Sequence, residues 1–351
     1  MPYSPMDTMT YPTFDPQVHL AFEEPSRILL MRDIGFDNIG VSPVAVTQPF
    51  QLFGPEAISI MRSEIQNPVV RERYGFASNI AHDGQLRGCA RTRTIHIRRM
   101  EASRRRGHSV QIGWYRLVPS CDYEIAHINL SATKTEEQAN AELNALHVRK
   151  SLIHSDEGID VGSSADDKPI VGWHTDSYPF VCVLMMTDCT KMVGGETALR
   201  TAEEDVIRVR SPTEGCAVIL QGRYITHQAL RALGAKERIT AVTSWRPRSP
   251  FVRDDSELRT VRPVSDLNEL YADFAEYRLG IMEQRIYRAR KEMRARREAG
   301  QQLDTLGHKA FLHESAAFLN HTDGEPVEED KASFGFIETL DVPDIVVEFS
   351  V

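Results

Sequence analysis

His174 and Asp176 stand two apart in the stretch Val171-Gly172-Trp173-His174-Thr175-Asp176-Ser177-Tyr178-Pro179-Phe180. On a strand, side chains two apart point to the same side, so the pair can offer one imidazole and one carboxylate to a single metal ion. A second imidazole follows after a strand-like interval, His227 in Gln221-Gly222-Arg223-Tyr224-Ile225-Thr226-His227-Gln228-Ala229. Two imidazoles and one carboxylate leave coordination positions open, the donor set that non-haem iron(II) uses to handle oxygen. Eleven residues on, Arg238-Ile239-Thr240 puts a guanidinium and a hydroxyl on one strand face. A guanidinium stays charged when buried and presents a planar fork to a carboxylate, and the hydroxyl adds a donor to the same group. His-x-Asp alone is a weak signal, because a structural His–Asp hydrogen bond arises by chance. The ordered set of His-x-Asp, Gly194-Gly195-Glu196-Thr197, a distal His and then Arg-x-Thr is specific. Glu196 reads as a turn or strand-start residue, and His127, His147 and His154 lack ligand spacing and read as structural.

These residues need strands to hold them. From Val171 to Pro250 the pattern is nearly all strand, broken by turns at Gly194-Gly195, 212–215 and Gly222. Phe180 to Met186 is a continuous apolar run, as expected of a strand buried on both faces. Cys216 to Leu220 is a second such run, and Arg238 to Trp245 closes the set. Short strands at this spacing predict an antiparallel sandwich or barrel. Before them, residues 42–46 and 123–130 read as strands. Gly54-Pro55-Glu56 opens a helix through Ile58, Met61 and Ile65, and Glu136 to Leu152 is an amphipathic helix. After Asp254, residues 266–299 and 305–319 read as two helices, and Ile345 to Phe349 as a final strand. Residues 1–24 are rich in turn formers and read as a flexible arm. The chain thus divides into that arm, an oxygen-chemistry domain over 25–265 with core strands at about 171–250, and a helical annex over 266–351. The annex either covers the mouth of the barrel or forms a homodimer through its helices.

Composition narrows the class. The 351 residues carry a net charge of −9 with 41% hydrophobic and 26% charged residues, values typical of a globular chain and unsuited to seeking nucleic acid or an anionic membrane. The longest apolar run is far too short to span a bilayer. The five cysteines, at 89, 121, 182, 189 and 216, are odd in number and form no Cys-x-x-Cys pair. They read as reduced thiols of a cytoplasmic protein.

One block departs from this composition. Residues 91–116 hold eight arginines and a single acid, Glu101. A nucleic-acid patch and a solvated basic face are two readings of it. A third is that the block is translated out of frame. Shifting a back-translation of Ile95 to Arg105 by one base yields Phe-Ile-Tyr-Asp-Ala-Trp-Lys-His-Pro-Glu, an ordinary amphipathic helix start. Ordinary text resumes near Leu117-Val118-Pro119.

Taken in order, the His174–Phe180 block, the Gln221–Ala229 block and Arg238-Ile239-Thr240 resemble the iron(II)- and 2-oxoglutarate-dependent dioxygenases, in particular biosynthetic and uncharacterised oxygenases of fungi. The resemblance covers about Ser42 to Val264, with 91–116 as its gap. It implies a mainly β fold with flanking α: a double-stranded β-helix core, jelly-roll or cupin-like, with helical N- and C-terminal extensions. It also implies that His174, Asp176 and His227 bind Fe(2+), while Arg238, assisted by Thr240, pairs with the distal carboxylate of 2-oxoglutarate. O2 takes part, and oxidative decarboxylation to succinate is coupled to oxidation of a small-molecule C–H bond in secondary metabolism. Because Asp176 is present, halide has no vacant ligand position, and hydroxylation, desaturation and ring formation remain open. Tyr178, Phe180, Gln221 and Arg223 are the candidate pocket residues, with core packing or a surface role as the alternative for each. An iron oxidase that needs no oxoacid and a metal-binding protein without turnover are the competing functions.

Overall fold

A computed structural model describes residues 14–79, 81–89, 110–112, 115–130, 134–154, 169–190, 192–210 and 213–337. In chain order the first half runs α1 (Pro16–His19), β1 (Ile28–Leu30), β2 (Val44–Thr47), β3 (Phe50–Gln51), α2 (Pro55–Gln66), α3 (Pro68–Tyr74), β4 (Gly75–Ser78), β5 (Ala81–Leu86), β6 (Val110–Ile112), β7 (Tyr115–Pro119), β8 (His127–Leu130) and α4 (Glu136–His154). The second half runs β9 (Pro169–His174), β10 (Phe180–Met185), β11 (Val193–Gly194), β12 (Thr197–Arg200), β13 (Val206–Val209), β14 (Cys216–Leu220), β15 (His227–Leu230), β16 (Ala232–Leu233), β17 (Ile239–Pro247), α5 (Leu267–Glu298) and α6 (Thr305–Gly324).

Two antiparallel sheets carry the fold. The larger runs β1-β2-β14-β10-β17-β8-β5-β4, with β3 on β14 and the β6–β7 hairpin on β17. The smaller runs β13-β12-β15-β9. The arrangement is mainly β, compatible with a β-sandwich. Strand parity sorts its side chains. On β10, Phe180, Cys182 and Leu184 enter the main core, with Ile239, Ala241 and Trp245 of β17 and Ala217 and Ile219 of β14. The intervening residues Val181, Val183, Thr240, Val242 and Leu220 turn to the opposite face and line a cavity between the sheets.

Helices close the outer face of the larger sheet. Pro55 stands at the first turn of α2, where its missing N–H costs nothing, and Ala57, Ile58, Met61 and Ile65 form the buried stripe. Asp266 caps α5 by accepting from the backbone N–H groups of Asn268 and Glu269. The buried stripe of α5, Leu270, Phe274, Tyr277 and Ile281, joins Cys121, Tyr123 and Tyr178 in a second core. The annex is therefore packed against the turns at Cys121–Tyr123 and Tyr178. Its helices lie against the flank, while the linker ahead of them supplies Thr260, Val261 and Val264 to the cavity mouth.

Several expectations change. The part of the proposed arm that is described, residues 14–24, is held in place. Leu20 bridges Phe53, Ala21 and Glu23 donate to the backbone of Leu52 and Gln51, and Phe14 and Leu20 pack on the main core. The strand read at 123–130 starts only at His127, because Asp122 to Ala126 is a turn with Ala126 at φ +56°. Of the 91–116 block only β6 and the start of β7 are described, paired as a hairpin; the rest lies outside the described residues, as does the strand read at 345–349. All five cysteines are buried and none is in a disulfide. Among the described residues, no helix is long and apolar enough to cross a membrane.

Candidate metal centre

β9 and β15 are antiparallel neighbours in the smaller sheet, and their register places His227 directly opposite His174. The two rings lie 4.4 Å apart between centroids. Asp176 follows two residues after His174 in the turn into β10, and its backbone N–H donates to Gly222 O at 2.9 Å. The sharp turn after β14 thus clasps the turn after β9, and the three side chains converge. Asp176 Oδ1 lies 3.8 Å from His174 Nε2, and Asp176 Oδ2 lies 3.3 Å from His227 Nε2. Ligands bound about 2.1 Å from a metal at right angles sit about 3 Å apart, so small side-chain adjustments would bring the three onto one ion.

Proton placement agrees with that use. His174 Nδ1 is 2.7 Å from Gly172 O, and His227 Nδ1 is 2.9 Å from Ile225 O. A carbonyl only accepts, so Nδ1 carries the proton in each ring and the Nε2 lone pair faces Asp176. Burial, followed by the neighbouring His227, pushes the His174 imidazole down to about 4, so it is neutral near pH 7 as a ligand must be. Asp176 Oδ2 is buried with no hydrogen-bond partner among the described residues. A buried, unpartnered carboxylate oxygen is costly unless a cation meets it. The donor set and this orphaned oxygen fit a divalent metal.

Gly222 belongs to the same construction. A Cβ built there would lie 1.8 Å from Asp176 Oδ2 and 2.8 Å from its Cγ, so even a methyl group must displace the carboxylate. Gly222→Ala should therefore keep the fold but weaken divalent-metal affinity by about 10- to 100-fold, the range seen when ligand orientation is disturbed. Anaerobic Co(II) titration followed by absorption reads this out, and unchanged affinity would remove Gly222 from the account.

The cavity beside the three ligands holds about 130 Å³, room for about four waters or the end of a small polar molecule. Arg238 and Thr240 line it, as their shared parity predicts. Arg238 is buried, its Nη2 donates to Gly195 O at 3.2 Å, and its Nε has no partner. Gly195 sits at φ +78°, where an added Cβ would meet Met192 Sδ at 2.8 Å. The Gly-Gly turn thus sets a carbonyl against the guanidinium where a side chain would intrude. Burial pulls Arg238 below its ordinary pKa, opposed by Cys189 and Glu196. Among the described residues it makes no ion pair within 4 Å, so an anion in the cavity could take a direct place on it.

The four proposed pocket residues do not line this cavity. Phe180 has the wrong parity on β10 and packs in the main core. Tyr178 is in the second core with Phe274 and Tyr277. Gln221 follows the cavity-facing Leu220 and so points away. Its Oε1 accepts from Val41 and Ser42 N–H, and its Nε2 donates to Ser42 and Val44 carbonyls. Arg223 pairs with Glu257 at 3.0 Å.

In their place stand Gln85, Arg87, Asn129 and Gln228, which the sequence did not single out, with His127, which it marks as structural, and Thr197 of the Gly-Gly-Glu-Thr turn. Arg87 Nη1 donates to His127 Nδ1 at 2.9 Å, and Nη2 meets Glu124. Burial is the largest single effect on Arg87 and opposes its charge, but Glu124, Tyr123 and Tyr178 together outweigh it, so the Arg87 pKa rises. His127 is pushed well down by burial and by Arg87. Being neutral and accepting at Nδ1, it carries its proton on Nε2, which has no partner; neither have Arg87 Nε, Gln85 Oε1 and Gln228 Oε1. The signal available was polar residues alternating with Leu86 and Ile128 on strands facing inward. His147 and His154 fall in α4, and their side chains lie outside the described residues. A larger cleft of about 810 Å³ runs between α5 and α6. The metal-ligand cluster found among the described residues is the one at His174.

No family model and no curated protein matches the chain. Solved structures do. A bsmA homologue from Methylobium petroleophilum PM1 is 23% identical over 21% of this chain and 33% of its own, with a TM-score of 0.19. A prolyl-4-hydroxylase from Pseudomonas putida is 16% identical over 44% of this chain and 85% of its own, at 0.20. An oxidoreductase of the 2OG-Fe(II) oxygenase family from Burkholderia pseudomallei is 14% identical over 34% of this chain and 68% of its own, at 0.20. The match thus spans a third of the first of these proteins. Likenesses of this size leave the functional reading to the geometry of the site itself.

Proposed function

We propose that the chain is a mononuclear non-haem iron(II) oxygenase of double-stranded β-helix type that consumes 2-oxoglutarate and O2 to oxidise a C–H bond of a small molecule. The observation that carries this reading is the convergence of His174, Asp176 and His227 around an unpartnered buried carboxylate oxygen, beside a buried arginine with no acid within ion-pair distance among the described residues. His174 and His227 would hold iron through Nε2 and Asp176 through its carboxylate. Iron so held supplies oxygen activation and a chelating site for an oxoacid. Gly172 and Ile225 carbonyls fix the two imidazoles in the ligating tautomer. Arg238 offers its guanidinium to the far carboxylate of the oxoacid, and Thr240 presents a hydroxyl to the same cavity. Val181, Val183, Leu220 and Val242 give the cavity one apolar side, and a charge pairing against it is less screened than in open water.

The purified chain, loaded anaerobically with Fe(II) and then given O2 and 2-oxoglutarate, should release succinate even without a prime substrate, and a chelator should stop it. Oxygen uptake that needs iron but yields no succinate would instead favour an oxoacid-independent oxidase. Iron binding with no turnover of either kind would favour a metal-binding protein.

A further inference from the structure

Helix α5 is 32 residues long, about 48 Å, and its second half is lightly covered: Arg285 and Arg288 still touch residues 250–252, but from Glu283 to Glu298 no residue is buried. Opposite its buried stripe runs a second apolar one, Ala272, Leu279, Ile286 and Met293, spaced by seven. Leu279 is 58% exposed, Ile286 42% and Met293 39%. One apolar row repeating every seven residues is one of the two rows that make the seam of a coiled coil. Beside it runs an exposed row of the same spacing in which three acids precede two bases: Glu269, Glu276, Glu283, Arg290, Arg297. Such a row repels a parallel copy and fits an antiparallel one. Setting Leu279 beside Ile286 of a second copy brings Glu276 to Arg290 and Glu269 to Arg297, twice over by symmetry, four opposite-charge pairs against the single like-charge meeting of Glu283 with its counterpart at the two-fold axis. Helix α6 also exposes Leu306, Leu312 and Leu319, without any such order of charge.

We infer that a second copy of this chain covers the exposed stripe of α5 in an antiparallel two-fold pair, so that the protein is a homodimer joined through its C-terminal helices. The pairing is independent of the metal centre, which lies in the sheets.

Sedimentation of the full chain at micromolar concentration should give about 79 kDa, twice 39.7 kDa. Leu279→Glu with Ile286→Glu should give the monomer with metal affinity unchanged. Glu276→Arg and Arg290→Glu should each weaken the dimer at least tenfold, and the double reversal should restore it, which a merely misfolded helix would not do. A monomer at every concentration, a dimer indifferent to the Leu279 and Ile286 changes, or charge reversals that do not rescue each other would overturn the inference. So would a monomer whose stripe takes up a hydrophobic dye only after residues 338–351 are removed, which would assign the cover to the tail.

Discussion

Asp176→Ala should abolish iron binding at micromolar metal while leaving the metal-free protein at least as heat-stable as before. The two halves of that result have one cause. In the folded chain Asp176 Oδ2 is buried without a hydrogen-bond partner among the described residues, 3.3 Å from His227 Nε2, in a position that suits a cation and little else. Truncation removes an uncompensated polar group, which costs roughly 1–3 kcal/mol to bury, and it removes a metal ligand. Metal affinity should fall by more than the roughly 10- to 100-fold seen when only the groups orienting a ligand are changed. Thermal melts show both effects together. The unaltered protein should gain about 2.7 kcal/mol at a metal concentration near 100 times Kd, a rise of several degrees, and the variant should gain nothing. His227→Ala should lose the same metal-induced gain. If the three residues were only a structural hydrogen-bonded cluster, Asp176→Ala would lower the melting temperature of the metal-free protein and divalent metal would shift neither protein.

Why this site was legible and its surroundings were not follows from how far each contact reaches along the chain. His174 and Asp176 are positioned by local strand parity, and His227 by a strand whose start is marked by the Gly222 turn. Arg238 and Thr240 share a face by the same parity. Helix α5 was legible because its cap, Asp266, and its apolar period are both local, and β14 because Cys216–Leu220 is an unbroken apolar run between turns. The pocket wall was not. Gln85 and Asn129 meet through a hydrogen bond across 44 residues, and Arg87 reaches His127 across 40. That pairing depends on β5 docking against β8, for which no local pattern speaks. Nearness to the motif misled in the other direction: Tyr178, Phe180, Gln221 and Arg223 flank the ligands in sequence, and each turns to a core or to another partner. Gln221 shows the reason most clearly, since its amide satisfies four backbone groups of residues 41–44, a structural task invisible without the fold.

Arg238→Ala should leave iron binding intact and raise the KM for 2-oxoglutarate by about 30-fold to several thousand-fold. A charged group that loses its buried partner costs about 2–5 kcal/mol, and every 1.4 kcal/mol is tenfold. The geometry makes the partner's identity a sharp question. Arg238 is 4% exposed, spends one N–H on Gly195 O, and finds no carboxylate within ion-pair distance among the described residues. Burying a guanidinium without a counter-ion is expensive, and an anion entering the cavity would offset that cost. Arg238→Lys should recover little, because an ammonium on a flexible stem cannot reproduce the planar two-point contact. The two rival functions separate here. An iron oxidase that uses no oxoacid predicts oxygen uptake indifferent to Arg238, whereas the proposed mechanism predicts that succinate formation falls at limiting 2-oxoglutarate and partly recovers at saturation. Because iron affinity reports on the sheet that carries His174 and His227, its retention in both Arg238 variants distinguishes a lost carboxylate partner from a lost fold.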